Sequence, residues 1–338
     1  MPVRVCPIVM IAGLLIAISA CATRSSDTHV PSANACPSSF DVPGRPRIGV
    51  SVQHCDPGFY PEMLQGMLDE VKQRRDYSID IKDARRDDTT QVDQVKDFIH
   101  RSYRAIVLVP HNSYSDDLSA VTREAEKNHI PVFTSDIGLG DSSGVRGHIA
   151  SNNRAGGRIA AALMCEAVRK QGSIAILTED FPPVSSVTDR VSGFRSGLAT
   201  LCPAVKIAIT IDASGERQKA AATMEDALQW FRRVHSPARL RGIFAINDPT
   251  AQGAAEAIRA FGEKVALIGY DGGTDELDAI GHGRMYGAVV QYPECIGRAT
   301  IDAIDKALKA RSSVRAHLKI PPVAVASWRT AKRKCASY

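Results

Sequence analysis

The chain has 338 residues, enough for two domains at roughly 150 residues each. Its hydrophobic content of 44% and charged content of 23% are those of an ordinary globular protein. The net charge is +5, with Lys and Arg dispersed along the chain, which argues against a nucleic-acid partner.

Residues 1–20 read as a signal sequence outside the fold. Arg4 supplies the positive start, and the apolar run from Ile8 to Ile18 is too short to span a bilayer. The run ends Ile18-Ser19-Ala20-Cys21. That tetrapeptide resembles the bacterial lipobox, which implies that Cys21 is acylated, becomes the mature N-terminus and anchors the chain to a membrane. Residues 21–45 then comprise the lipidated cysteine and a flexible tether, rich in Ser, Pro, Asn and Thr and lacking apolar periodicity. With Cys6 and Cys21 set aside, six cysteines remain: Cys36, Cys55, Cys165, Cys202, Cys295 and Cys335. An even number suits an exported, disulfide-forming protein, and six allow fifteen pairings. Cys165 and Cys202 fall in helices predicted for the same half of the molecule and are one candidate pair. No C-x-x-C or H-E-x-x-H spacing occurs, so neither a metal nor another cofactor is expected.

From residue 46 the hydrophobic pattern alternates between strand and helix. Arg47 to Val52 is the first strand, and Phe59-Tyr60 opens an amphipathic helix in which Met63, Met67 and Val71 recur at core spacing. Strand 77–82, helix 90–101, strand 105–110, helix 115–128 and strand 130–136 follow. After a Gly/Ser loop at 138–144 the rhythm restarts. Residues 145–151 are extended, and helix 155–171 begins behind Asn152-Asn153, either of which could cap it. Strand 173–177, a loop with Pro182-Pro183, helix 187–201, strand 205–211 and helix 214–233 continue the pattern. Two comparable α/β sets imply two doubly wound parallel-sheet lobes with a cleft between them.

Three runs in the second half point to a site: Ile243 to Asp248, Val265 to Gly272, and Tyr286 to Gln291. Continuous apolar runs of this length mark parallel strands buried on both faces. Each ends in one hydrogen-bonding side chain, Asn247, Asp271 or Gln291. Ligands of open α/β sheets sit beyond the carboxyl ends of the strands, so these three would converge on a small polar molecule. Helix 293–310 and one short strand near 320–326 close the chain, followed by a basic tail at 331–338.

Six stretches together carry a resemblance: Ile130-Pro131-Val132-Phe133-Thr134-Ser135-Asp136, His148 to Asn153 with Gly156-Gly157, Asp189 to Phe194, Phe244 to Asp248, Gly269-Tyr270-Asp271-Gly272, and Val290-Gln291-Tyr292-Pro293. Residues 46–326 are similar to the ribose/galactose-type periplasmic sugar-binding proteins, exported relatives of the LacI-type ligand-binding domain. The resemblance implies two lobes joined by three crossover hinges near 150, 291 and 321. One lobe would hold 46–150 and 292–321, the other 151–291 and 322–330. It implies ligand contacts from Arg190, Asp136, Asn247, Asp271 and Gln291, an aromatic platform from Phe59 and Tyr60, and a further polar contact from Asp56. Ile137 stands where ribose-binding members commonly have arginine, and Gly215 or its neighbours stand where a second aromatic wall would be. The implied function is that of a monomeric, lipid-anchored periplasmic protein delivering a carbohydrate-like ligand to an ABC permease. An accessory subunit presenting a polyol or other ligand to a membrane receptor kinase is the alternative. No nucleophile elbow or paired catalytic carboxylates emerge, so no enzymatic activity is expected. Replacing Arg190 by alanine is expected to abolish binding and leave the fold intact.

Overall fold

The computed structural model describes residues 36–233, 239–310 and 316–326. The expected signal sequence, Cys21 and the basic tail lie outside these residues. In chain order the first set is β1 (Arg47–Val52), α1 (Phe59–Arg74), β2 (Ser78–Asp83), α2 (Asp88–His100), β3 (Ala105–Val109), α3 (Asp116–Lys127), β4 (Val132–Ser135) and β5 (Val145–Ser151). The second set is α4 (Asn153–Ala167), β6 (Gly172–Thr178), α5 (Ser185–Leu201), β7 (Val205–Asp212), α6 (Arg217–Arg233), β8 (Leu240–Ala245), α7 (Asp248–Phe261), β9 (Ala266–Asp271), α8 (Thr274–Gly281) and β10 (Gly287–Val290). The chain ends with α9 (Pro293–Ala310), β11 (Ala316–Ile320) and β12 (Val323–Val325).

These form two six-stranded sheets, ordered β2-β1-β3-β4-β5-β11 and β7-β6-β8-β9-β10-β12. The first is parallel throughout, while β12 runs antiparallel to β10 at the edge of the second. The pattern of apolar residues follows from this position. All five residues of β3 are buried, whereas the edge strand β7 alternates between covered and open positions. On α1, Met63, Met67 and Val71 are fully buried, each apolar side chain stabilising by about 1.5–3 kcal/mol.

The chain crosses between the sheets three times: after β5, after β10, and between β11 and β12. The last crossing corrects the single strand expected near 320–326. Pro321-Pro322 divides it, because proline has no N–H for a ladder and fixes its own φ. The chain therefore leaves one sheet and joins the other.

Asn152 caps α4, its side chain accepting from Ala155 N at 3.1 Å, and this frees Asn153 for a different use described below. Helices α4 and α5 lie close together because a Cβ on Gly157 would strike the Arg190 carbonyl, and one on Gly193 the Arg154 carbonyl. The disulfide Cys165–Cys202 ties α4 to the residue that ends α5 across a sequence separation of 37 residues, a loop whose closure is worth about 4 kcal/mol in the chain-entropy account. Cys36 pairs with Cys55.

That second disulfide shortens the expected tether. From Cys36 onward the segment is bonded to the first lobe: Phe40 exchanges backbone hydrogen bonds with Ile79 at 2.9 and 2.8 Å. Val42 is buried, and its N–H donates to Ser78 Oγ at 2.9 Å. Its partners lie on β2, far along the chain, so local composition alone cannot report the attachment. Among the described residues no helix is long and apolar enough to cross a membrane.

Candidate functional site

The first lobe contributes the ends of β1 and β4 and the start of α1. Gln53 Nε2 donates to Tyr60 Oη, and Tyr60 in turn donates to Asp136 Oδ2 at 3.3 Å. Asp136 is 3% exposed, and its Oδ1 has no hydrogen-bond partner among the described residues. Burial raises its carboxyl to about 6, Arg190 working against the rise and Asp271 adding to it. The half-buried Phe59 meets Tyr60 edge-on at 5.4 Å, and His54 approaches the same ring at 4.8 Å.

Asp56 departs from this group. Its carboxylate is 63% exposed and pairs with Arg86 at 2.7 Å and His54 at 3.2 Å. It belongs to a rim ion pair, not to the buried cluster.

The second lobe contributes the ends of β8, β9 and β10 and one turn of α5. Arg190 is 5% exposed. Its Nε donates to Asn153 Oδ1 at 2.9 Å, and its Nη1 donates to the Ile246 carbonyl at 2.8 Å and Asp271 Oδ1 at 3.3 Å. The guanidinium lies 4.1 Å from the centroid of the Tyr270 ring, a cation–π stack in a desolvated setting. Gln291 Nε2 donates to Asp271 Oδ1 at 2.6 Å, and the Asp248 N–H reaches Asp271 Oδ2 at 3.3 Å. Gln291 is fully buried, with Oε1 unpartnered among the described residues.

Asn247 is both cap and candidate contact. Its oxygen accepts from Thr250 N at 3.0 Å in a capping box at the start of α7. Its Nδ2 donates to the Gly215 carbonyl at 3.2 Å, and an amide has a second hydrogen to give.

Backbone conformation marks two of these residues independently. Asp136 has φ 61° and Asp271 φ 94°, a region costly for any side chain and associated with sites that must aim a group in a fixed direction.

Two groups lie outside the pattern of the three apolar runs. Asn153 orients Arg190. Glu179 directly follows β6 and is pushed from its ordinary value of 4.5 to about 7, by burial first, with Arg86 and Arg190 lowering it and Asp212 and Glu216 raising it. Its Oε2 lies 2.7 Å from where a Cβ on Gly215 would stand. A carboxyl therefore occupies the space over Gly215 where the resemblance implied a second aromatic wall. A surface groove of about 630 Å³ along α5 shares only Glu179 with this cluster.

The lobes are latched at one side of the gap. Ser113 N donates to the Pro183 carbonyl at 3.1 Å, Ser185 N to Ser113 Oγ at 2.8 Å, and Gly138 N to Ser185 Oγ at 2.9 Å. These bonds join loops of the first lobe to the β6–α5 loop of the second, the arrangement of a closed hinge.

Residues 48–312 match the model of the periplasmic binding protein domain. The chain belongs to the periplasmic binding protein family. Within it, the ribose import binding protein of Bacillus subtilis is 30% identical over 276 residues, covering 81% of this chain and 86% of that one. Among solved structures, a Caulobacter myo-inositol binding protein bound to myo-inositol aligns with a TM-score of 0.76 at 25% identity, covering 83% of this chain and 93% of the other. A periplasmic solute binding protein of an ABC transporter from Actinobacillus succinogenes, with bound D-allose, aligns at 0.73 and 25% identity, covering 83% and 97%.

Proposed function

We propose that this protein is a lipid-anchored extracytoplasmic binding protein that encloses a sugar or polyol between its lobes and hands it to an ABC importer. The single observation that supports this most is that Asp136 from one lobe lies within electrostatic reach of Arg190 and Asp271 from the other, where Gln291 holds the same Asp271, with two buried acceptors, Asp136 Oδ1 and Gln291 Oε1, left without donors among the described residues. An unsatisfied buried acceptor costs about 1–3 kcal/mol. A hydroxylated ligand supplies the missing donors, and it does so only when the lobes are shut, which is what drives closure. Relatives named for ribose, and neighbours holding myo-inositol or D-allose, agree with such a ligand.

The test is a ligand-dependent thermal shift across sugars, cyclitols and nucleosides. A true ligand at a hundredfold excess over Kd adds about 2.7 kcal/mol of stability. No shift from any compound would end the proposal. For the anchor, Cys21→Ser is expected to move the protein from the membrane fraction to the soluble fraction; retention in the membrane would refute acylation at that residue.

A further inference from the structure

Charge does not balance inside the cleft. Three carboxyls, Asp136, Glu179 and Asp271, share it with one guanidinium, Arg190. Asp271 is already compensated, by Arg190 at 3.3 Å and Gln291 at 2.6 Å. Asp136 has only a tyrosine hydroxyl on Oδ2 and nothing on Oδ1 among the described residues. The next residue, Ile137, is 1% exposed and brings no charge. Glu179 lies over Gly215, and the other charged groups acting on it are Arg86, Arg190, Asp212 and Glu216. Of its two cations, Arg190 is engaged by Asp271, and Arg86 is engaged by Asp56 at 2.7 Å. One buried carboxyl, Asp136, and one half-buried carboxyl, Glu179, are therefore left over.

A metal ion does not suit the surplus. Among the described residues the only set of three or more metal-ligating atoms lying within 4.8 Å of one another is Cys36, Cys55 and Asp83, and both cysteines are in a disulfide. The cleft carboxyls form no such set. They are well placed for a molecule that presents one positive group and several hydroxyls. Tyr60 donates to Asp136 and also lies within electrostatic reach of Glu179.

We infer that the ligand is an amino-substituted sugar or cyclitol, its ammonium neutralised by Glu179 and Asp136 while its hydroxyls reach Gln291, Asn247 and Arg190. This deepens the polyol reading above and rests on it. A charged hydrogen bond between ammonium and carboxylate is about twice as strong as a neutral one, and in a desolvated cleft it also removes the cost of the unpaired anion.

Calorimetric titration of the purified full chain with matched pairs tests this: 3-amino-3-deoxy-D-glucose against D-glucose, 3-amino-3-deoxy-D-ribose against D-ribose, and 1-amino-1-deoxy-myo-inositol against myo-inositol, each at pH 7. The amine of at least one pair is expected to bind tenfold or more tightly than its hydroxyl counterpart. N-acetylation of that amine should remove the advantage, and Glu179→Gln should reduce the ratio of amine affinity to hydroxyl affinity to within about threefold. A hydroxyl member that equals or exceeds its amine in every pair overturns the inference and leaves the polyol cleft standing. An amine preference undiminished in Glu179→Gln also overturns it. Binding by no compound of either series removes both readings.

Discussion

Arg190→Ala is expected to abolish ligand binding and, in the ligand-free protein, to lower stability by about 3–5 kcal/mol, the usual result of removing one member of a buried ion pair. This revises the sequence-based expectation that the fold would be untouched. The guanidinium is 5% exposed and serves Asn153, Ile246, Asp271 and the Tyr270 ring together. Its loss leaves the Ile246 carbonyl without that donor and Asp271 with only Gln291 and the Asp248 N–H to hold its charge. Neighbours cannot collapse into the space without burying the carboxylate more deeply. Denaturant melts without ligand measure the loss of stability, and calorimetry on the folded fraction measures binding. The more conservative Arg190→Lys separates the two. It retains the positive charge near Asp271 and loses the planar fork, so most of the stability should remain while affinity falls at least tenfold. An unchanged affinity in both variants would place the ligand elsewhere.

Much of the candidate site was legible because parallel sheets impose one rule: apolar runs end where polar groups can reach a ligand beyond the strands. Asn247, Asp271 and Gln291 each stand at such an end, and the structure draws them together from β8, β9 and β10. Glu179 obeys the same rule at the end of β6 but is masked, since the acidic and proline-rich stretch behind it has the composition of a loop. Tyr270, inside an apolar run, reads as core, and it is core: its ring is fully buried and also supports Arg190. The choice between Asn152 and Asn153 could not be made from spacing, because both precede α4 and only the approach of α5 gives Asn153 a guanidinium to receive. The left-handed backbone at Asp136 and Asp271 has no sequence signature apart from aspartate's tolerance of it. The attachment of Phe40 to Ile79 was hidden for a different reason, since pairing across that sequence distance depends on the assembled lobe.

Glu179→Gln is expected to make the ligand-free protein more stable at pH 8, by about 2–3 kcal/mol, and to change little at pH 4. The sign follows from burial, which raises the carboxyl from 4.5 to about 7 in the folded protein. Below pH 4.5 the group is protonated in both folded and unfolded chains, so glutamine and glutamic acid are near equivalents. As pH rises through the window from 4.5 to 7, the unfolded chain gives up its proton first and the folded state is progressively disfavoured. Above about 7 the penalty is complete. A tenfold change in an acid's dissociation constant is worth about 1.4 kcal/mol. The rise at Glu179 therefore sets a ceiling of about 3.5 kcal/mol, reduced by the partial exposure of the side chain. Asp136, raised to about 6 for a similar reason, is present in both proteins, and its own contribution largely cancels in the difference. Urea melts at pH 4 and pH 8 give the comparison directly. A pH-independent difference, or a variant less stable at pH 8, would mean that Glu179 is not held against its charge in the closed cleft. A measured gain would identify this carboxyl as strained in the absence of ligand, with its relief available to whatever cation the cleft encloses.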